Sequence, residues 1–275
     1  MPIVSILLPT YKNASRLTLA IESVISQTYQ DWELIIIDDG LTQGIKEQLK
    51  DYSIRDTRII VLVNDQNVGI QKSLNRGLRQ ARGKYIARID DDDIWIDTTK
   101  IAQQVEFFEH HSEYVLVGTH ATICDENGIL LGQYTMPQDD ASIRRRMLIK
   151  NCFLHPTIMA KKIAIDQVGG YDERVESKHI EDYALWLQLG QIGKFANLPL
   201  FAVQLTIHAD SLTFKNRFVQ AKRMLQLIPR YQSLYPNFYP GYLILIIRGI
   251  GFGFLKIFPI PKRVLYFIQK IYKQF

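Results

Sequence analysis

Cysteine is scarce in this chain, with two thiols, Cys124 and Cys152, among 275 residues. Two cysteines cannot build the disulfide framework of a small secreted domain, and their spacing does not match that of a metal site. The first segment, MPIVSILLPTYKN, also lacks the basic leader and the small-residue cleavage site of a signal peptide. The sequence therefore predicts a protein of a reducing, cytosolic compartment whose first apolar run is a strand.

Acidic residues are missing from the C-terminal part of the chain. Residues 214–275 contain 11 Lys or Arg and no Asp or Glu, whereas residues 1–213 carry a net charge of −6. A basic, aromatic-rich segment predicts an anionic partner, either a membrane surface or nucleic acid. Because its basic residues alternate with long aliphatic stretches instead of sharing a polar face, we expect a membrane surface and no nucleic acid.

A long uninterrupted apolar run is also missing. The most hydrophobic stretch, residues 242–260, contains Arg248, Lys256 and Pro259. A bilayer-spanning helix needs about 20 apolar residues, and an arginine near its centre costs about 3 kcal/mol on insertion scales. Residues 214–275 are therefore predicted to form a basic, hydrophobic helical extension that lies on the membrane. We expect a peripheral protein on the cytoplasmic face of the cell membrane.

Strand-like and helix-like segments alternate in the first third of the chain. Apolar runs predict strands at 4–10, 32–40, 58–65 and 84–90, separated by helix-periodic segments that include 14–28 and 70–81. This alternation predicts βαβ units and a Rossmann-like, mostly parallel sheet flanked by helices. Since ligands bind such sheets beyond the carboxyl ends of the strands, the acidic residues at 38–39 and 90–93 are expected to face one crevice.

The segment RIDDDDIW concentrates four carboxylates, Asp90–Asp93, at a predicted strand end. Two carboxylates about 6 Å apart repel by roughly 3 kcal/mol at an effective dielectric constant near 20, so such a group needs a counter-charge or contact with water. A solvated acidic turn is one interpretation. The location at the end of a parallel strand favours the other, a ligand-binding site.

Six segments, in this order, resemble the glycosyltransferases of family 2: SILLPTYKN, ELIIIDDG, NVGIQKSLNRGLRQARGKYIARIDDDDIW, GGYDE, IEDYALWLQL and IHADSLT. The resemblance implies an α/β A-type glycosyltransferase fold and inverting transfer from a nucleotide diphospho-sugar. It implies a catalytic domain at 1–213, with a nucleotide-binding half at 1–95 and an acceptor half at 96–213, followed by the extension at 214–275. Its expected partners are a nucleotide-diphosphate sugar and a glycan acceptor, which we expect to be lipid-linked.

The resemblance places the nucleotide at the ends of the first strands. Asp39 of DDG would accept the imide N–H of uracil or thymine, which favours a UDP- or dTDP-sugar, whereas Asp38 is expected to be structural. The other residues expected at the nucleotide are Thr10, Tyr11, Asn67, Gly69, Asp90 and Asp91. The alternatives are ordinary packing of Tyr11, a simple turn at Gly69, and capping of a loop or helix by Asp38 and Asp39.

The resemblance also implies Mg²⁺ or Mn²⁺, because a cation that bridges both phosphates stabilises the charge of the leaving group. Asp92 would be the direct ligand, Asp90 would assist, and His208 would contact the metal or the diphosphate. A structural histidine is the alternative for His208. Asp93 is expected to support the ligands or to cap the following helix. Four adjacent aspartates leave the identity of the direct ligand open by one residue.

Inversion requires a base that deprotonates the acceptor hydroxyl. The resemblance places this base in the acidic pair Glu181 and Asp182, with Asp182 as the base and Glu181 orienting the acceptor or the helix. The helix dipole also favours acidic residues in a first turn, so a structural role is the alternative.

Two other functions explain less of the pattern. A sugar nucleotidyltransferase would share the α/β architecture, but LLPTYKNASR lacks a phosphate loop rich in glycine and arginine. A non-catalytic, membrane-bound scaffold is disfavoured by the intact acidic motifs.

Arg88 is expected to screen the tetrad, to contact phosphate or to lie on the strand surface. Residues 144–146 are expected to form a solvated basic helix face.

Overall fold

The computed structural model describes residues 2–12, 16–41, 43–207 and 216–257. Within these ranges the strands are β1 (Val4–Lys12), β2 (Trp32–Leu41), β3 (Ile59–Val63), β4 (Tyr85–Arg88), β5 (Ile94–Trp95), β6 (Tyr114–Cys124), β7 (Leu130–Tyr134), β8 (Met159–Lys161) and β9 (Lys194–Thr206). The helices are α1 (Leu17–Ile25), α2 (Gln43–Arg55), α3 (Ile70–Gln80), α4 (Lys100–His110), α5 (Asp140–Met147), α6 (Lys162–Gln167), α7 (Glu181–Leu189), α8 (Arg217–Leu227) and α9 (Phe238–Ile257).

The strands form one mixed sheet in the order β3–β2–β1–β4–β8–β6–β9–β5, with β7 paired to β6. The first half is parallel, as the alternating segments predicted: β1 pairs with β2 and β4, and β2 pairs with β3. The register places Thr10 beside Asp38, so the ends of β1 and β2 meet. In the second half, β8 runs antiparallel to both β4 and β6, which joins the second half of the sheet to the first.

Two hydrophobic cores lie on opposite faces of the sheet. Side chains of β1 alternate between them, since Ile6 and Leu8 face one core and Leu7 faces the other. The first core contains α1 and α4, and the second contains α3, α5, α7 and the C-terminal helices. Helices thus cover both faces of the sheet, and the strand ends carry the polar residues.

The C-terminal helices share the second core with residues 1–213. Leu227, Tyr235 and Leu245 are buried in it, and Arg248 donates a hydrogen bond of 3.0 Å to the backbone oxygen of Ile149. The first turns of α9 therefore pack on the sheet and helices of residues 1–213, while the domain boundary at 213 stays a prediction. In the described part of the chain, no helix combines the length and hydrophobicity that crossing a bilayer requires.

Close approach at Gly241 lets α9 pack on the loop after α5. A Cβ at this position would lie 2.5 Å from the backbone oxygen of Leu148, whereas a Cβ at Gly251 would meet nothing within 4 Å. Gly241→Ala should therefore lower the free energy of unfolding by about 2 kcal/mol through overpacking. Gly251→Ala should raise it by up to about 1 kcal/mol through helix propensity. Urea denaturation measures both, and equal effects of the two variants would contradict this packing.

Candidate active site

The four aspartates form a tight turn at the end of β4, which we call the acidic turn (residues 90–93). The Asp93 N–H donates to the Asp90 backbone oxygen at 3.3 Å, and the Asp93 carboxylate accepts the Thr206 N–H at 3.1 Å. Asp93 is buried and ties the turn to the end of β9. It does not cap the next helix, because α4 begins seven residues later at Lys100. The predicted strand at 84–90 accordingly ends at Arg88.

Arg88 is the counter-charge of the acidic turn. Its side chain is 5% exposed. Its two terminal nitrogens donate to the two carboxylate oxygens of Asp90 at 2.8 and 2.6 Å. This bidentate pair raises the pKa of Arg88 against the opposing effect of burial. Arg88 is therefore neither a surface-strand residue nor a free phosphate ligand, and screening of the tetrad is the interpretation that the contacts support.

Burial and neighbouring carboxylates raise the pKa values of Asp91 and Asp93. Burial raises the pKa of Asp91, while the Thr10 hydroxyl, which donates to Asp91 at 2.6 Å, opposes the shift. Burial raises the pKa of Asp93 as well, and the charges of Asp90 and Asp92 add to it. An incoming cation would relieve this repulsion.

Asp39 fixes the loop that leads into α3. Its carboxylate accepts hydrogen bonds from the Asn64 side chain (2.8 Å), the Val68 N–H (2.8 Å) and the Gly69 N–H (2.9 Å). The Asn67 side chain donates to the Asp39 backbone oxygen at 3.3 Å. Gly69 has a φ of 86°, which a residue with a side chain rarely adopts, and open space lies where its Cβ would be. The loop thus brings backbone close to the end of β2 with room beside it.

The neighbouring residues occupy the same edge of the sheet. One Asp38 oxygen accepts the Gly40 N–H at 2.8 Å, and the other lies 3.7 Å from the Lys46 ammonium. Tyr11 is 46% exposed just beyond the buried Thr10. The predicted nucleotide residues on β1, on β2 and in the acidic turn therefore line one edge.

The acidic pair Glu181 and Asp182 occupies the first turn of α7. The Asn151 side chain donates to Asp182 at 2.9 Å. Burial raises the pKa of Glu181 to about 7, and the adjacent Asp182 adds to the shift. Burial also raises the pKa of Asp182, while the Tyr183 N–H and the Arg88 charge oppose it. Arg88 therefore acts electrostatically on both this pair and the acidic turn.

The GGYDE segment is held against α3 by a pair of hydrogen bonds. Asn75 of α3 accepts the Tyr171 N–H at 2.9 Å and donates to the Tyr171 backbone oxygen at 2.8 Å. The Tyr171 hydroxyl lies 2.8 Å from His155 Nε2, and burial together with the Arg88 charge lowers the pKa of His155. His155 is thus a buried packing residue behind the site.

The Glu181 carboxyl predicts a dependence of stability on pH. Its pKa is about 7 in the folded protein, against an ordinary value of 4.5. Between these values the folded state binds more protons than the unfolded state, so the free energy of unfolding falls as the pH rises. Glu181→Gln should reduce the difference in unfolding free energy between about pH 5 and about pH 7.5. Urea titrations test this, with Glu106→Gln, an exposed site on α4, as the control that keeps the wild-type difference.

The donor set of the acidic turn fits a hard divalent cation. In the described ranges no three His, Cys, Asp or Glu side chains are grouped as a metal site, and His208 lies outside those ranges. Mg²⁺ and Mn²⁺, however, are often held by one or two carboxylates together with substrate phosphates. Asp90 and Asp92, both partly exposed, can supply such ligands.

A family model agrees with this geometry. The model described as Glycosyl transferase family 2 matches residues 5–167. The chain belongs to glycosyltransferase family 2. This glycosyltransferase is 34% identical over 217 residues to the putative glycosyltransferase EpsE of Bacillus subtilis (strain 168), covering 78% of this chain and 76% of EpsE.

Two further comparisons cover most of the glycosyltransferase. It is 30% identical over 229 residues to WfaP of Escherichia coli, a UDP-Glc:alpha-D-GlcNAc-diphosphoundecaprenol beta-1,3-glucosyltransferase, covering 83% of this chain and 86% of WfaP. The mannosyltransferase PcManGT from Pyrobaculum calidifontis, in complex with GDP-Man and Mn²⁺, superposes with a TM-score of 0.65 at 15% identity, over 90% of this chain and 69% of that one. The predicted A-type glycosyltransferase fold is confirmed, and the chain is an enzyme of the glycosyltransferase class rather than a nucleotidyltransferase or a scaffold.

Sequence reasoning missed two asparagines of the site. Asn64 holds Asp39 and Asn151 holds Asp182. Asn64 does lie near the end of the strand predicted at 58–65, and directly after β3, which is the position where site residues collect. Asn151 lies 31 residues from its partner in a segment without a recognisable pattern, so only the fold brings the two together.

Proposed function

We propose that this glycosyltransferase transfers a sugar from a UDP- or dTDP-sugar to a lipid-linked glycan with inversion at the anomeric carbon. One observation carries the proposal. The buried Arg88 forms an ion pair with Asp90 of the acidic turn, and its charge also acts on the carboxyl groups of Glu181 and Asp182. The turn belongs to the nucleotide-binding half and the pair to the acceptor half. A single displacement needs a group for the leaving diphosphate and a base for the acceptor, and these two acidic groups suit those tasks.

The nucleotide would bind along the edge formed by Thr10, Tyr11, Asp39 and Asn67, with Gly69 beside it and Asp90 and Asp91 at the ribose. An ionised carboxylate has about four acceptor sites, and the hydrogen bonds of Asp39 with other described residues use three of them. Within the described residues this leaves one site for the imide N–H of uracil or thymine. The name of the relative WfaP supports a uridine donor, since it specifies UDP-Glc.

Asp92, assisted by Asp90, would hold Mg²⁺ or Mn²⁺, with His208 as a further candidate outside the described residues. When bound, the cation would supply Lewis-acid stabilisation of the departing diphosphate. Arg88 keeps Asp90 in a fixed orientation through its bidentate pair. The Mn²⁺ in the PcManGT complex supports the choice of cation.

Asp182 would take the proton of the acceptor hydroxyl as this oxygen attacks the anomeric carbon. Asn151 orients the Asp182 carboxylate, and Arg88 favours its ionised form. Glu181, which precedes Asp182 in the same helical turn, would orient the acceptor hydroxyl.

The outer face of α9 would lie on an anionic membrane surface, the cytoplasmic face of the cell membrane. Its exposed apolar side chains recur at helical spacing: Tyr239, Leu243, Ile246, Ile247 and Ile250. Beyond α9, residues 258–275 add four basic residues and no acidic one. An apolar face next to basic residues is the pattern of an interfacial helix, and it suits a lipid-linked acceptor better than nucleic acid. The diphosphoundecaprenol in the name of WfaP supports this placement.

A panel assay tests the proposed function. Purified protein with Mg²⁺ or Mn²⁺ is given UDP-, dTDP- and GDP-sugars, with and without extracted lipid-linked glycan, and nucleotide release is measured. We expect release with a uridine or thymidine donor that depends on acceptor and stops when a chelator removes the cation. NMR of the product should show inverted anomeric configuration. Retained configuration, or full activity with chelator present, would contradict the mechanism.

A further inference from the structure

A cluster of arginines lies beside the loop 172–180, which leads into the acidic pair. A cavity of about 290 Å³ is lined there by Arg174, Arg223 and Arg230, with Ser177 and Gln226 as further polar groups and Glu176 as an acidic one. Guanidinium groups present planar sets of N–H donors that match phosphate oxygens. A cavity with three of them points to a phosphate-bearing ligand.

The donors of this cavity are not exhausted by contacts among the described residues. There, Arg174 is paired with Asp172 at 2.7 Å, and Arg223 donates one hydrogen bond, to the Lys178 backbone oxygen. Each arginine carries five N–H groups, so Arg223 keeps donors for a ligand. Arg230, also a lining residue, is exposed. The cavity therefore keeps positive charge after Asp172 and Glu176 are counted.

The loop that forms one wall is already held in place. The Gln220 side chain donates to the His179 backbone oxygen at 3.1 Å, and Gln71 donates to the Asp172 backbone oxygen at 2.6 Å. His179 has a φ of 68°, an uncommon backbone conformation that these contacts support. A loop fixed in this way needs little ordering when a ligand binds.

The cavity lies within reach of both the base and the membrane helix. Ser177 is five residues before Asp182, so their Cα atoms are at most about 18 Å apart. Helix α8, which carries Arg223, packs beside α9, where a Cβ at Gly249 would lie 3.9 Å from that of Ala221. A sugar linked through a diphosphate to a membrane lipid needs these three elements in sequence.

We propose that Arg174, Arg223 and Arg230 bind the diphosphate of the lipid-linked acceptor. This inference rests on the proposed function, because it places the acceptor sugar at Asp182 and its lipid at α9. The cationic cavity would then distinguish a diphosphate-linked glycan from the same glycan without phosphate.

Kinetics with two acceptors test this subsite in the full chain. One acceptor carries the sugar on a lipid diphosphate, and the other carries the same sugar as a phosphate-free alkyl glycoside. Arg230→Gln should raise the KM for the first acceptor at least about tenfold, with kcat and the KM for the second unchanged. The double variant Arg174→Gln/Arg230→Gln should raise the KM for the lipid-diphosphate acceptor further. Lys222→Gln, an exposed residue of α8 outside the cavity, should leave both values within about twofold.

Two binding measurements separate the other outcomes. Calorimetry without divalent cation should show that inorganic pyrophosphate binds the wild-type protein and binds Arg230→Gln more weakly. If neither acceptor is glycosylated, the proposed function fails while calorimetry still decides the subsite. Equal KM changes for both acceptors in Arg230→Gln, or unaltered pyrophosphate binding by this variant, would overturn the proposed subsite. Affinity for phosphatidylglycerol vesicles should be unchanged in Arg230→Gln. A loss there would assign the cavity to lipid headgroups and overturn the acceptor role.

Discussion

Asp182→Asn is expected to lower the kcat of sugar transfer by about 10³-fold, within the range that general-base catalysis provides. Asparagine has the same shape as aspartate but cannot take a proton, so the acceptor hydroxyl would lose its base. Asn151, which donates to the wild-type carboxylate at 2.9 Å, can still be satisfied by the amide oxygen. The fold and the affinity for the nucleotide-sugar should therefore be unchanged. The rate is measured with both substrates saturating, and donor affinity by calorimetry.

The matched control for this variant is Asp166→Asn. Asp166 lies on α6, paired with Lys162 on the surface, and its replacement should change kcat by less than about twofold. Glu181→Gln supplies the comparison within the pair, and it should mainly raise the KM for the acceptor. A larger loss of kcat in Glu181→Gln than in Asp182→Asn would show that Glu181 is the base.

Arg88→Met is expected to lower the free energy of unfolding by about 3 kcal/mol, at the lower end of the cost of breaking a buried ion pair. The methionine fills the space but leaves Asp90 without its counter-charge beside Asp91 and Asp93. The lower end applies because the Asp90 side chain is 34% exposed, so water offsets part of the loss. Urea denaturation measures the change.

Two further variants separate charge from packing. Arg79→Met, at an exposed position near the end of α3, should change the unfolding free energy by less than about 0.5 kcal/mol. In the double variant Arg88→Met/Asp90→Ala, removal of both partners should restore part of the loss. Additive losses would mean that Arg88 acts through packing alone, and the electrostatic account of the site would be wrong.

Local patterns were sufficient to predict the parallel half of the sheet and the edge at which the acidic residues lie. Apolar runs of strand length alternating with helix-periodic segments specify parallel strands, because each segment must bury its apolar side on the same layer. Asp39 lies at the carboxyl end of one such strand and Asp90–Asp93 lie at the end of another, so their place at one edge follows from chain direction. The end of β4 was predicted two residues late, since the Asp93 N–H bonds back to Asp90 and closes a turn there.

The sequence by itself thus determined the fold class, the edge of the sheet that carries the acidic residues, and the basic, apolar character of the C-terminal segment. Only the tertiary structure decided that Arg88 is buried and pairs with Asp90 of the acidic turn, and that its charge also acts on Glu181 and Asp182. It also decided that α9 packs through Gly241 on the catalytic fold. The physical reason is the separation along the chain of the residues that interact. Periodicity and strand ends are set by neighbouring residues, whereas charge pairing and close backbone contacts join residues that are distant in the chain and meet only after the sheet and its helices have packed.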